Sequence, residues 1–385
     1  MKRSTASAPN MSPKQEDETE AKKVKFEEVK PATPPTGRQI IEQYLKGDVA
    51  ASVTYRKICN ALETFEQWES EVPKLQLLDQ FLPIADAMEI RTETLVKRLL
   101  NLNWNKIPSS ALPRFRTFLC EIAIRHLCFT EEVYRSVVNR LVPPAIIDEE
   151  TKKVTLTLTE EVQNEHFEMA HYIISSIIRC FPLSAKTLLK CVKSAMPHFT
   201  RPAITVSGYM RNLILMQKYV PASISKDIWE CMFERLAKDD AHVWKAEQNE
   251  EESKSPRLFA LNDDTLLEDV EVGNSEEAAE ILEQKERDHL ITYLDSVCTD
   301  IISYINFVHD EEQNEEDSVS GLWLRSLKIA EEKPIEPEQL FETFRQCLES
   351  TMLTATHVQY VSFIWLYFCS LKKEYEEKIL EHLWQ

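Results

Sequence analysis

The sequence predicts an all-α protein: a HEAT-like α-solenoid of antiparallel helix pairs, with a disordered N-terminal tail and an acidic internal loop. Three observations carry this. Glycine is scarce, with five in 385 residues: Gly37, Gly47, Gly208, Gly273 and Gly321. Phosphate-cradling loops and dinucleotide folds need clustered glycine, and the tight turns of an all-β fold need it at positive φ. Apolar residues recur at steps of three and four, the helical period. Proline then ends several of the apolar stretches, because it lacks the N–H and restricts the residue before it.

Residues 1–38 read as the disordered tail. Ser, Thr, Pro and charges dominate there, and ordering them would bury little. Residues 39–244 read as a helical repeat region. Its stripes fall at Phe115–Leu127, Val133–Leu141, Met169–Phe181, Leu188–Met196, Tyr209–Val220 and Ile224–Leu236. Stops stand at Phe181-Pro182, Met196-Pro197, Arg201-Pro202 and Val220-Pro221, with Ser184 and Ser223 as candidate helix caps. Residues 245–285 read as the acidic loop, with 13 acids against 4 basic residues and room for short helical turns around Glu276–Lys285. A second acidic run, Asp310–Asp317, carries six acids in eight residues and reads as a connection. Residues 286–385 form a second helical repeat region. Leu290 to Ile305 makes one stripe there, and Val358–Phe368, apolar nearly all round, is expected to be a central, fully packed helix. The last stripe, Tyr375, Ile379, Leu380, Leu383 and Trp384, runs to the end without a stop signal. That second region is therefore expected to be truncated at its C-terminal end, with an exposed apolar edge.

Composition narrows the function. The chain has 45 Lys and Arg against 64 Asp and Glu, a formal net charge of −19. Phosphates would be repelled, so strong direct DNA binding is not expected. No apolar stretch reaches the roughly 18 residues a membrane span needs, so no membrane partner is expected. The nine cysteines form no CxxC pair, and none sits beside His at zinc spacing; they read as reduced core residues. His166 and His171 are five apart and diverge on a helix. We find no GxSxG, HExxH or P-loop pattern, and so expect no catalytic residues, no metal and no cofactor.

The remaining candidates concern partners and regulation. Lys22-Lys23-Val24-Lys25-Phe26 reads three ways: as plain disorder, as a basic import signal, or as a segment resembling the docking motif read by protein phosphatase-one. In the last case Val24 and Phe26 would enter apolar pockets. Ser12, Thr33 and Ser255 each precede Pro and are candidate phosphorylation sites. Ser184 is a fourth, or simply a helix N-cap. Arg179, Lys186, Lys190, Lys193, Arg201 and Arg211 make the middle of the chain locally basic, either as an ordinary solvated face or as a contact for an acidic partner.

Three stretches go further. Leu141-Val142-Pro143-Pro144-Ala145-Ile146-Ile147 is a helix end followed by a double proline. His171 to Ala237 runs HYIISSIIRCFP, then SAMPHF, then GYMRNLILMQKYVP, then IWECMFERLA. His357 to Trp384 reads HVQYVSFIWLYFCSLKKEYEEKILEHLW. In this order the chain resembles the RNA polymerase I-specific transcription initiation factors of the TIF-IA family, convincingly over 115–240 and 340–384. The resemblance implies a HEAT-repeat protein that binds RNA polymerase I and promotes its recruitment to ribosomal RNA gene promoters. It also implies a link to the promoter selectivity factor, action in the nucleus and nucleolus, and regulation by phosphorylation. Family members continue past the position of Gln385, so some promoter-factor contacts are expected to lie outside this sequence. The rival reading is another nuclear helical scaffold, such as a transport adaptor.

Overall fold

Helix and short turn alternate throughout. The computed structural model describes residues 35–147, 154–254, 273–309, 323–324, 335–355 and 357–383. The first pairs are α1 (Gly37–Leu45) with α2 (Val49–Glu63), α3 (Glu71–Phe81) with α4 (Glu93–Leu100), and α5 (Leu112–Arg125) with α6 (Thr130–Asn139). A hairpin of β1 (Ala145–Ile147) and β2 (Val154–Leu156) follows. Then come α7 (Glu160–Cys180), α8 (Ala185–Ala195), α9 (Ala203–Met216), α10 (Ala222–Lys254) and α11 (Gly273–His309). The described chain closes with α12 (Pro337–Thr354), α13 (Gln359–Ser370) and α14 (Lys373–Leu383).

Local chemistry places the boundaries. Asp48 Oδ2 accepts from the Ala51 N–H at 3.0 Å and caps α2. Gly47 before it has φ 86°, the left-handed region glycine enters without a Cβ penalty. Proline occupies the opening turn of α5 and of α12, where its missing N–H costs nothing.

Residues 37–385 form one compact unit built in two layers. Helices α5 and α7 pack side by side in one layer, as do α9 and α11; α4, α6, α8, α10 and α12 follow one another in the second. This is the helical-repeat architecture expected. One continuous apolar core runs between the layers. Trp229 is fully buried in it against Phe233, Tyr304 and Phe344. Gly208 marks a close approach: a Cβ there would stand 2.5 Å from Pro143 Cγ, so α9 lies on the end of α6 only because position 208 carries no side chain.

A buried polar group locks that junction. His171 on α7 is completely buried. Its Nε2 donates to Asn212 Oδ1 at 3.1 Å, and its Nδ1 accepts from the Tyr219 hydroxyl at 2.8 Å. That is the pairing of a neutral imidazole. Asn212 Nδ2 donates in turn to Leu141 O at 2.9 Å and Gly208 O at 3.1 Å. Between α9 and α11, Arg211 grips the buried Asp300 through two bonds of 3.0 and 2.8 Å.

The structure corrects four expectations. Helices α10 and α11 reach Lys254 and start at Gly273, so much of the expected 245–285 loop is helical, and its remainder, 255–272, lies outside the described residues. A hairpin interrupts the all-α chain, with Ala145 opposite Leu156 and Ile147 opposite Val154. Pro143-Pro144 ends the helix, and β-branched residues then pair. Ser223 lies inside α10 rather than before it. Finally α13 is not fully packed. Val361, Ile364 and Phe368 face inward, whereas Phe363 is 58% and Leu366 65% exposed.

Two predictions follow from the packing. Trp229→Ala should cost about 3–5 kcal/mol in chemical denaturation. Trp365, half-buried and stacked on Phe341 at 5.5 Å, should lose only about 1–2 kcal/mol on truncation. The second concerns pH. Burial lowers the His171 pKa to about 4, whereas an unfolded His titrates near 6.5. Between those values the unfolded chain binds a proton that the folded chain does not. Stability is therefore complete above about pH 6.5 and falls as pH drops toward about 4, by roughly 3 kcal/mol. Unfolding midpoints across that window should show the slope, and His171→Gln should flatten it.

Candidate functional site

Successive turns within the helix pairs line up along one edge of the solenoid. Hydrogen bonds join neighbouring turns in sequence. Arg91 Nη1 donates to Leu45 O at 2.7 Å, tying the second turn to the first. His126 Nε2 meets Ala85 O at 2.8 Å, tying the third to the second. The Tyr134 hydroxyl donates to Ser184 Oγ at 2.7 Å, and Lys190 pairs with Glu131 at 2.9 Å, tying the fourth to the third.

Each of these four turns exposes one large apolar side chain: Val49, Ile90, Leu127 and Leu183. Leu183, between α7 and α8, is 85% exposed, the most open of them. An exposed basic side chain accompanies each: Lys46, Arg91, Arg125, and at the fourth turn both Arg179 and Lys186. Single exposed apolar residues need no explanation. Two of these cations also meet an acid, Arg91 with Glu89 at 3.2 Å and Arg125 with Glu121 at 3.7 Å, so the row of four apolar side chains in a mixed-charge setting is a surface suited to a protein partner with apolar anchors.

The structure divides the six basic residues singled out in the sequence. Arg179 and Lys186 flank Leu183. Lys190 lies one turn further along α8 and answers Glu131, whose carboxyl its ammonium holds below the usual range. Lys193 is exposed further down α8. Arg201 lies past the other end of α8, where its carbonyl meets His289 Nε2 at 2.6 Å. Arg211 is the clamp on Asp300, with its guanidinium 5.0 Å from the Trp323 ring centre. Burial raises the Asp300 carboxyl even with Arg211 beside it. The six therefore do not form one patch.

Ser184 departs most from expectation. It stands at the N-cap position of α8, but its side chain caps nothing. Its hydroxyl donates backward to Phe181 O at 2.6 Å and accepts from Tyr134, and the residue is only 2% exposed. A kinase would have to open this turn to reach it. Ser12, Thr33 and Ser255, like Lys22, Lys23, Val24 and Phe26, lie outside the described residues.

Burial pushes the thiols of Cys120 and Cys191 up to about 11, which keeps them protonated at neutral pH and unsuited to attack. Among the described residues no group of His, Cys, Asp and Glu could hold a metal ion. No single described helix is long and apolar enough to cross a membrane. The sequence reading passed over the four apolar knobs. Their signal was an apolar residue beside a turn and off the main stripe, as in Phe181-Pro182-Leu183-Ser184.

Ser184→Asp should destabilise the fold by about 3 kcal/mol or more, since it sets a buried carboxylate against the Phe181 carbonyl. Ser184→Ala, which leaves the Tyr134 hydroxyl unpaired, should cost about 1–3 kcal/mol. Thermal unfolding of both variants checks this. An Asp variant as stable as the parent would show that the turn opens freely.

Comparison with known proteins follows the fold. Residues 38–385 match the family described as RNA polymerase I specific transcription initiation factor RRN3. The chain is 68% identical over 397 residues to the RNA polymerase I-specific transcription initiation factor tif-1A of Caenorhabditis elegans, which covers 100% of this chain and 61% of that protein. It is 23% identical over 311 residues to the factor RRN3 of Mus musculus, covering 76% of this chain and 43% of the relative. The crystal structure of the RNA polymerase I transcription initiation factor Rrn3 superposes with a TM-score of 0.57 at 14% identity, covering 91% of this chain and 60% of that one. The chain thus spans less than two thirds of the length of the relatives it matches.

Proposed function

Because this chain belongs to the RNA polymerase I-specific transcription initiation factor family, we propose that its solenoid binds RNA polymerase I and promotes recruitment of the enzyme to ribosomal RNA gene promoters. In this reading it acts in the nucleus and nucleolus and performs no chemistry of its own. The observation that carries the reading is the 68% identity across the whole chain to a factor of that description. The turn edge supports it, because a protein that works by docking needs a rigid exposed surface and the two-layer solenoid holds one.

The contact we assign is the edge of apolar knobs, centred on Leu183 with Arg179 and Lys186. The promoter selectivity factor and protein phosphatase-one remain proposed partners; the second would be met through Lys22, Lys23, Val24 and Phe26. Phosphorylation at Ser12, Thr33 or Ser255 is proposed as the regulatory input.

The test is retention of purified RNA polymerase I on the immobilised chain. Leu183→Asp combined with Arg179→Glu and Lys186→Glu changes only exposed side chains, so stability should fall by no more than about 1 kcal/mol, the scale of a lost surface pairing. Retention should fall at least about tenfold, since central apolar anchors carry much of an interface's energy. Undiminished retention by this triple variant would move the contact elsewhere. No retention by the parent chain would remove polymerase binding from this part of the family's fold.

A further inference from the structure

Helices α9 and α11 lie side by side, parallel and in register. His289 meets the Arg201 carbonyl, Asp300 meets Arg211, and the Phe307 ring centre stands 5.5 Å from Lys218 Nζ. The offset in sequence between these partners hardly changes along the seam. Arg211 and Lys218 therefore stand about two helical turns apart on one side of it.

Trp323 and Leu324 lie across this seam. Leu324 is fully buried and belongs to the continuous apolar core. Its carbonyl accepts from Lys218 Nζ. Trp323 is half-buried, with its ring centre 5.0 Å from the Arg211 guanidinium. Lys218 is only 6% exposed. A buried ammonium must keep its acceptors, and the Leu324 carbonyl is one of them.

These are the contacts of a docked peptide. An aliphatic side chain fills an apolar slot, an aromatic ring meets a guanidinium, and a main-chain carbonyl meets a lysine. None of them requires the pair to be joined to the helices it touches. The Lys218 and Leu324 partners are 106 residues apart in sequence. On either side of the pair, α11 ends at His309 and α12 starts at Pro337.

Such a tethered ligand acts at an effective concentration on the order of millimolar. A short Trp-Leu peptide seated in the same way should bind with a Kd on the order of 0.1–1 mM. The ratio of the two is about tenfold or less. The pair is then seated most of the time, yet it exchanges without unfolding of the solenoid.

We propose that the seam between α9 and α11 is a docking groove for a Trp-Leu pair, filled in cis by Trp323-Leu324 and open to exchange with the same pair on a segment of a partner protein. The incoming pair takes over the Arg211 and Lys218 contacts. It also lengthens the tether that carries the acidic run Asp310–Asp317, from residues 310–322 to residues 310–334. The groove uses none of the knobs and does not depend on which partner that row meets.

Trp323 is its own reporter. The full chain is labelled with 5-fluorotryptophan, and the Trp323 signal is assigned with Trp323→Phe. The probe is an acetylated, amidated peptide of residues 321–328. In the parent chain it should move the Trp323 signal toward that of a solvent-exposed indole, halfway at roughly a few millimolar. The same peptide with Leu324→Ala should need at least about tenfold more, because it cannot fill the apolar slot. A chain carrying Trp323→Ala has a weakened clip. It should take the fluorinated peptide about fivefold more tightly than the parent. Adding Lys218→Met to that chain keeps the stem and removes the donor, and should weaken the peptide about tenfold. Should Trp323→Ala not fold, the parent titration decides alone. A Trp323 signal unmoved at about 10 mM peptide, equal displacement by the alanine peptide, binding that leaves the Trp323 signal in place, or an affinity unchanged by Lys218→Met would each overturn the proposal.

Discussion

The contact on which the middle of this fold depends is the buried chain of hydrogen bonds through His171, Asn212 and Tyr219. It lies where the regular stack is interrupted by a hairpin and must resume. Four segments meet there: the end of α6 at Leu141, α7 at His171, α9 at Asn212 and the turn at Tyr219. Apolar packing alone tolerates sliding of one helix along another, because dispersion is not directional. A neutral imidazole with one donor and one acceptor accepts a single arrangement of partners. Gly208, pressed onto Pro143, then sets how closely α9 can approach. Asn212 also satisfies the Leu141 carbonyl, which would otherwise be buried unpaired at a helix end.

Registry at that junction has consequences at the surface. The turns align along one edge only if each helix pair keeps its height relative to the one before. Tyr134 reaching Ser184 is the local expression of this alignment. Ser184 is therefore part of the scaffold that presents Leu183, while Leu183 itself touches little. Adjacent residues in one short turn thus differ, the buried serine holding the turn and the leucine standing exposed. The sequence placed Arg179, Lys186 and Arg211 in one basic group, yet the first two lie at the exposed turn and the third between two helices. Arg211 spends its guanidinium on Asp300 and holds α9 to α11.

Much of the helical pattern was readable, because it rests on a short-range period and on proline. The stripes from Phe115 to Leu236 fall on α5 to α10, and each proline stop coincides with a turn. The hairpin was also written locally. Val154-Thr155-Leu156-Thr157 alternates at period two, but so short a run carries little weight between long helices. Exposure on α13 could not be read. A helix apolar all round looks fully packed, and only the position of its neighbours shows that Phe363 and Leu366 face outward. The fate of the basic residues was hidden for the same reason. Nothing in the sequence near Arg211 points to Asp300, which is 89 residues away. Ser184 misled because the N-cap position was right while the hydroxyl turned to Phe181 and Tyr134 instead.

The strongly acidic composition does not contradict a basic docking edge. Of the net −19, nine charges belong to residues 245–285 and six to 310–317, and little remains for the rest of the chain. At physiological salt an exposed cation responds mainly to charges within about 8 Å. The sign of a surface is therefore decided by its near neighbours, and the chain total sets only the weaker long-range field. Near Leu127 and Leu183 the basic side chains are Arg125, Arg179 and Lys186, with Arg125 3.7 Å from Glu121, so the local charge at this edge is set by these few residues rather than by the total. The acidic total works at longer range, where it disfavours nucleic acid and other polyanions. An acidic protein surface with apolar anchors satisfies the local rule. A bare phosphate backbone offers the charge without the anchors and is penalised by the total. The two scales of electrostatics together favour an acidic protein surface over a polyanion at this edge.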